Sequence, residues 1–375
     1  MKSYLEDIKD QPEVKRTLTQ FIISNKIPHA LLFSGQDGIG KDFCAIRFAQ
    51  EVNSRFLKNR LEAERIISGI ENFSEPYIKF ICPLPRGKSE SELDGPYEKL
   101  SEEDLECIKE ELSKKISNPY YDLEIPNANN IKINSIRDIK KFLSFSIETS
   151  FFRFIMISDA HLMSEAAQNS LLKSLEEPPA GFIFVLTTSQ PDLLRSTIRS
   201  RCWNLNFQPL SNDGLSSILT NFFNINESLA NSIAPFAGGS VSIAVKLFEH
   251  DFEILTNKVI VFLRQSLGKR YNSAFDEIKY FLSDNSGEML KLLIYLVIIW
   301  LNDVQKFRYQ TGNYYFNKHV ETLEKFNNRF PDLNLNQIVN KLEQLQIAVS
   351  LNINLNTIAI NLIMELSRIS SIKVN

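Results

Sequence analysis

The chain has 375 residues, 43% of them hydrophobic and 23% charged, with 42 basic against 45 acidic side chains. That length suggests ~2 to 3 domains, and a net charge of −3 supplies no overall positive field to draw the protein to DNA or an anionic membrane. Cys44, Cys82, Cys107 and Cys202 lie far apart with no C-x-x-C pair, which argues against a disulfide framework and a zinc knuckle and fits a reduced, cytoplasmic protein.

The opening "MKSYLEDIKDQPEVKR" lacks the apolar centre of a signal peptide, and residues 1–30 look helical with polar ends. "ALLFSG" predicts a short strand feeding a glycine loop, after which "KDFCAIRFAQEVNSRFL" shows helical spacing of apolar residues. The stretch 86–116 mixes both signs of charge and reads as a solvated loop plus one surface helix. "RFIMIS" (153–158) and "GFIFVLTTS" (181–189) predict two further strands, with a helix over "SEAAQNSLLKSLEE" between them. Strands alternating with helices imply an α/β fold with a parallel sheet covered on both faces. After Pro209 only amphipathic helices are expected, with breaks near 237–240, 283–288 and 329–334. The apolar run "LLIYLVIIWL" (292–301) is shorter than the ~18 to 20 residues that span a bilayer and reads as a buried helix.

The glycine loop carries the first chemistry. "LLFSGQDGIGKDF" (31–43) matches G-x-x-x-x-G-K at Gly35, Gly40 and Lys41, with Gly38 inside the loop. Such a loop surrounds phosphates with backbone N–H groups, and its lysine adds a point charge. The next position, whose hydroxyl normally ligates Mg²⁺, holds Asp42. Hydrolysis also needs an acidic pair at the end of a neighbouring strand, and there "FIMISDAHLMS" offers Ser158 and Asp159. Nucleotide binding is therefore expected to be weakened, with ATP binding still possible and hydrolysis not expected. The histidines at 29, 161, 250 and 319 are scattered and read as structural or solvent-facing.

The segment "SEAAQNSLLKSLEEPPAGFIFVLTTSQPDLLRSTIRSRC" (164–202) closely resembles the AAA+ clamp-loader family of bacterial DNA polymerase III. "IPHALLFSG", "IKINSIRDIKKFL" and the tail "VSLNINLNTIAINLIMEL" extend the likeness over nearly the whole chain. The resemblance implies an AAA+ P-loop core over 1–208, a small helical lid over 209–250 and an all-α collar over 251–375. It implies a five-subunit ring with gamma/tau and delta subunits that loads a sliding clamp on primed DNA. It also implies an arginine finger at Arg201, between Ser200 and Cys202, presented in trans to a neighbour's nucleotide. Thr188 stands with Thr187 where a polar residue senses phosphate, and Ser242 stands where active members carry a phosphate-contacting arginine. The four-cysteine zinc module common in the family is absent, so no zinc is expected. Two other readings compete: an active gamma/tau-type ATPase that tolerates Asp42 and Asp159, and a small-molecule P-loop kinase, for which no substrate lid is found.

Overall fold

The computed structural model describes residues 3–57, 59–144, 151–283, 287–351 and 353–370. The chain divides into two compact units: Met1–Ala234 with Gly238–Ser242, and Pro235–Ala237 with Ile243–Asn375.

In the first unit the elements follow as α1 (Pro12–Ile23), β1 (Ala30–Ser34), α2 (Lys41–Phe56), α3 (Arg60–Glu71), β2 (Ile78–Ile81), α4 (Glu102–Ser117), α5 (Ile133–Ser144) and β3 (Arg153–Ile157). They continue with α6 (Glu165–Glu176), β4 (Phe182–Thr188), α7 (Ser196–Arg199), β5 (Trp203–Asn206), α8 (Asn212–Phe223) and α9 (Glu227–Ile233). All strand pairs are parallel, in the order β2-β3-β4-β1-β5. The three expected strands are the three central ones. Every residue of β1, β3 and β4 is buried, and two covered faces are the reason such strands read as unbroken apolar runs. The two strands that the sequence pattern does not announce lie at the edges. β2 is the short "IKFI", interrupted by Lys79, and β5 is "WNLN", of which only Leu205 is buried.

Helices α5 and α6 close one face of the sheet. Ile136, Ile139 and Phe142 join Leu171 and Leu175 in a core with Ile155, Ile157, Phe184 and Leu186. Between β2 and α5, Cys82, Leu84, Leu100 and Ile108 build a small second core with Leu112, Leu123 and Ile125 against it. This core holds α4, the helix expected in the mixed-charge stretch. Its start is fixed by a capping box in which the Ser101 hydroxyl accepts from the Asp104 N–H at 3.1 Å, and its first turn is acidic while its last carries Lys114 and Lys115.

The second unit is helical, as expected. The chain enters it within α10 (Val241–Glu249) and continues through α11 (Phe252–Leu267), α12 (Tyr271–Ile278), α13 (Glu288–Arg308), α14 (Val320–Arg329), α15 (Leu335–Ser350) and α16 (Leu355–Ile369). The run "LLIYLVIIWL" lies in α13, where Leu293, Ile294, Leu296, Val297 and Trp300 are all buried. Among the described residues no helix is long and apolar enough to cross a membrane. Part of the break expected at 283–288 lies outside the described residues. In the C-terminal segment Ile358, Leu362, Ile363 and Leu366 pack inward, whereas Leu351, Ile353, Ile360 and Met364 are exposed.

Candidate functional site

In a parallel sheet, ligands bind beyond the carboxyl ends of the strands. The C-terminal ends of β1, β3 and β4 lie side by side here, with Ser34 paired to Thr188 and Ile157 to Leu186. β1 runs into the glycine loop, β3 into Ser158 and Asp159, and β4 ends on Thr187 and Thr188. A cleft of about 240 Å³ opens over these ends, lined among others by Gly38, Gly40, Lys41, Asp42, Ser158, Asp159 and Thr187.

The loop has the backbone that its glycines permit. Gly35, Gly38 and Gly40 have φ of 150°, 72° and 83°, and Gly40 is the left-handed N-cap of α2. A Cβ at Gly40 would lie 2.8 Å from Cε1 of Tyr120, whose ring stacks on Phe43 with centroids 4.7 Å apart. On its other side the loop is pinned by residues 238–242. Val241 N–H donates to Gly38 O at 2.8 Å, the Ser240 hydroxyl to Asp37 O at 2.9 Å, and Gln36 Nε2 to Gly238 O at 2.9 Å. Ser242 lies directly against the Cα of Gly38.

Lys41 is buried and turned back on its own loop, donating to Gly35 O at 2.8 Å and Gln36 O at 2.6 Å, with Asp37 at 3.9 Å. Burial lowers its pKa against the pull of Asp37 and Asp42. Asp42, in the first turn of α2, is more heavily engaged. Its Oδ2 accepts from the Ser158 hydroxyl at 2.8 Å, its Oδ1 from the Thr187 hydroxyl at 2.8 Å, and the Lys115 ammonium stands 3.1 Å from Oδ2. Burial raises a carboxyl's pKa, but Lys115 and the donated hydrogen bonds outweigh it and hold Asp42 below its ordinary value. Asp159 has the opposite balance. It sits at φ 51° after β3, and burial with the negative charges of Asp42 and Asp37 outweighs Lys41 and pushes its pKa up to about 7. Thr188 Oγ1 lies 3.2 Å from His161 Nδ1 and accepts from the Gln190 N–H at 3.1 Å.

The P-loop pattern implies a Mg²⁺ ion held by a hydroxyl after the lysine and an acid on the next strand. The donor set does not fit that ion. The hydroxyl position is a carboxylate already engaged by two hydroxyls and an ammonium, and the acid position is Ser158, whose hydroxyl donates to Asp42. No group of three His, Cys, Asp or Glu side chains converges as a metal-ligand set among the described residues.

The candidate residue at the unit's surface is Arg201, between α7 and β5. Its Nη1 donates to Thr197 O at 2.8 Å and its Nη2 to Glu176 Oε1 at 2.6 Å. The guanidinium and its acid are both partly exposed, at 34% and 47% of their side-chain surface. Arg195 and Arg199 nearby are likewise paired at the surface, with Glu165 and Asp192.

Among the cleft residues that escape the sequence reading are Lys115, Tyr120 and His161. Lys115 and Tyr120 come from the mixed-charge stretch and the turn after it, and His161 is one of the histidines read as structural or solvent-facing. For Lys115 a signal existed: Ile108, Glu111 and Lys115 follow helical spacing and form the buried side of α4. Nothing local points to Tyr120 or His161.

The chain is 28% identical over 310 residues to DNA polymerase III subunit delta′ of Bacillus subtilis, which covers 80% of this chain and 81% of that one. It is 26% identical over 290 residues to DNA polymerase III subunit gamma of Buchnera aphidicola from Schizaphis graminum, covering 76% of this chain and 68% of the relative. Against the B. subtilis tau subunit it is 26% identical over 249 residues, which are 65% of this chain and only 37% of that longer protein. Residues 10–211, more than half of the chain, match the sequence pattern of a family described as "DNA polymerase III, delta subunit". The chain therefore belongs to that family, the clamp-loader subunits of DNA polymerase III.

Proposed function

We propose that this chain is a delta-prime-like subunit that hydrolyses no ATP itself, assembles with gamma/tau and delta subunits around a sliding clamp and primed DNA, and supplies Arg201 in trans to a neighbour's nucleotide. The observation that carries this reading is the state of Asp42. A carboxylate committed to Ser158, Thr187 and Lys115 leaves the glycine loop without the metal-binding hydroxyl that phosphoryl transfer uses. Arg201 fits the outward role because its pair with Glu176 is exposed. Such pairs are worth only ~0 to 1 kcal/mol, so leaving Glu176 for a phosphate costs little. An arginine presented across a boundary is worth ~10³ to 10⁵ in rate in GTPases. The exposed Leu351, Ile353, Ile360 and Met364 suit a helical collar covered by other subunits. No zinc is part of this proposal, since Cys82 and Cys107 lack cysteine or histidine partners between residues 44 and 150.

A gamma/tau-type ATPase is the second reading, favoured by the gamma and tau relatives. Steady-state ATPase separates the two. The purified chain should match a buffer blank, with and without primed DNA, whereas turnover at or above ~1 s⁻¹ that Lys41→Ala abolishes would establish the second reading. In a complex reconstituted with gamma/tau and delta, Arg201→Ala should incorporate normally and lower the stimulated ATPase partially, because other sites carry their own fingers. Lysine should rescue poorly, lacking the planar fork that engages two oxygens. Unchanged ATPase would reduce Arg201 to a surface arginine.

A further inference from the structure

The two altered positions of the P-loop chemistry are in contact with each other. Asp42 stands where a hydroxyl is expected and Ser158 where a carboxylate is expected, and the hydroxyl of the second donates to the carboxylate of the first at 2.8 Å. In P-loop NTPases these positions face a common Mg²⁺. Here hydroxyl and carboxylate have exchanged places, and a positive charge is still supplied to the carboxylate. It comes from Lys115, which reaches in from α4, is 5% exposed, and is held by Asp42 at 3.1 Å and by Tyr121 O at 2.8 Å. We infer that the Lys115 ammonium is the resident cation of this site: it neutralises the exchanged carboxylate in place of a divalent metal and locks α4 onto the first turn of α2. The inference rests on the cleft geometry alone, whatever complex the chain joins.

Three physical points carry it. A buried carboxylate needs a cation or full hydrogen bonding, and Asp42 has a cation and two hydroxyl donors, which satisfies three of its roughly four lone-pair directions. A divalent ion approaching Oδ2 would have to displace the ammonium, and the Ser158 and Thr187 hydroxyls would have to turn their protons away from Asp42 before their oxygens could ligate it. Finally, Lys115 does not reach Asp42 by chance of a mobile side chain. Its helix is seated by the small core around Ile108 and Leu112, and the following turn is tied back by Glu111, which accepts from the Glu124 N–H at 2.7 Å and the Tyr121 hydroxyl at 3.0 Å.

The test uses the isolated full-length chain and two readouts that involve no partner subunit, thermal melting and Mn²⁺ binding by electron paramagnetic resonance. Wild type should show no stoichiometric Mn²⁺ with or without ADP, and millimolar Mg²⁺ should leave its melting temperature unchanged. Lys115→Met, which keeps the length of the side chain and removes its charge, should melt about 5 °C lower or more. In that variant Mg²⁺ should recover part of the loss, because the carboxylate then lacks a cation. Asp42→Ser combined with Lys115→Met should melt higher than Lys115→Met alone, since the uncompensated charge is gone. If Lys115→Met does not fold, the double variant and the wild-type Mn²⁺ titration still decide. Stoichiometric Mn²⁺ in wild type overturns the inference, as does a double variant less stable than Lys115→Met. The inference shares the Asp42 geometry with the non-hydrolysing reading, but its readouts involve neither ATPase nor assembly, so the role proposed for Arg201 can fail without the inference and the inference without that role.

Discussion

Asp42 and Lys115 meet at 3.1 Å with side chains 15% and 5% exposed, whereas Glu176 and Arg201 meet at 2.6 Å with side chains 47% and 34% exposed. The shorter contact is the weaker one. Water screens the surface pair and competes for both partners, so holding two long side chains together gains little. The buried pair has no such competitor, and breaking it by removing one partner costs about 3 to 5 kcal/mol. The first unit thus keeps its charge fixed in the cleft and releasable at its surface. Charge is present in both places, and burial decides which of the two can act.

The sharpest way to break this contrast is to disturb the fixed side without touching a charge. Gly40→Ala places a Cβ 2.8 Å from the Tyr120 ring at φ 83°, where an L-residue is already strained. A loss of about 3 kcal/mol in the first denaturation transition is expected, combining the backbone and overpacking costs. If the loss is under about 1 kcal/mol, the turn after α4 is mobile and the cleft is not rigid. Next in size is Asp159→Asn. The folded-state pKa of Asp159 near 7 stands above its unfolded value near 4, so the folded state holds the proton more tightly. The Asp159 contribution to stability is therefore greatest below pH 4, falls as pH rises from about 4 to 7, and is constant above. Asparagine tolerates the left-handed backbone and carries no charge; the shift is worth at most ~4 kcal/mol, and with water in the open cleft the variant should gain about 2 kcal/mol at pH 8 and nothing at pH 3.5. Urea melts at the two pH values check this, and an equal effect at both would mean that the charge is not penalised. The smallest effect belongs to the releasable side: Glu176→Gln should change stability by less than about 1 kcal/mol and leave the ATPase of a reconstituted complex undiminished. A larger loss would show that Arg201 is held in place by Glu176 as firmly as Asp42 is by Lys115.

The sequence announced the parts whose information is local. β1, β3 and β4 declare themselves through buried apolar runs, and the glycine loop through its spacing. The extended "TIRSRC" pattern singles out Arg201, which lies at the surface beside Glu176. β2 and β5 were not, because four-residue edge strands carry too few buried positions to show a pattern, and "WNLN" exposes three of its four residues. The cleft was legible on one wall. Asp42 and Ser158 looked like two separate losses because 116 positions separate them, and only the sheet brings the hydroxyl to the carboxylate. Lys115 was hidden by its company: among six acidic and three basic residues on α4, charge alone does not tell which one turns inward. His161 follows β3 closely, but its contact with Thr188 depends on β4 lying beside that strand.

The pinning of the glycine loop by residues 238–242 has a consequence for synthesis of the chain. Gly38 O waits for the N–H of Val241, and Asp37 O for the hydroxyl of Ser240, partners translated some two hundred residues later. Residues 238–242 also belong to the first unit although 235–237 count with the second. A nascent chain that has delivered all five strands by Asn206 therefore still has an unfinished glycine loop, and it cannot finish it while residues 238–242 remain inside the ribosomal tunnel. A fragment ended at Ala234 would keep the entire sheet yet leave Gly38 O and Asp37 O without these donors, whereas one ended a turn beyond Ser242 would retain them.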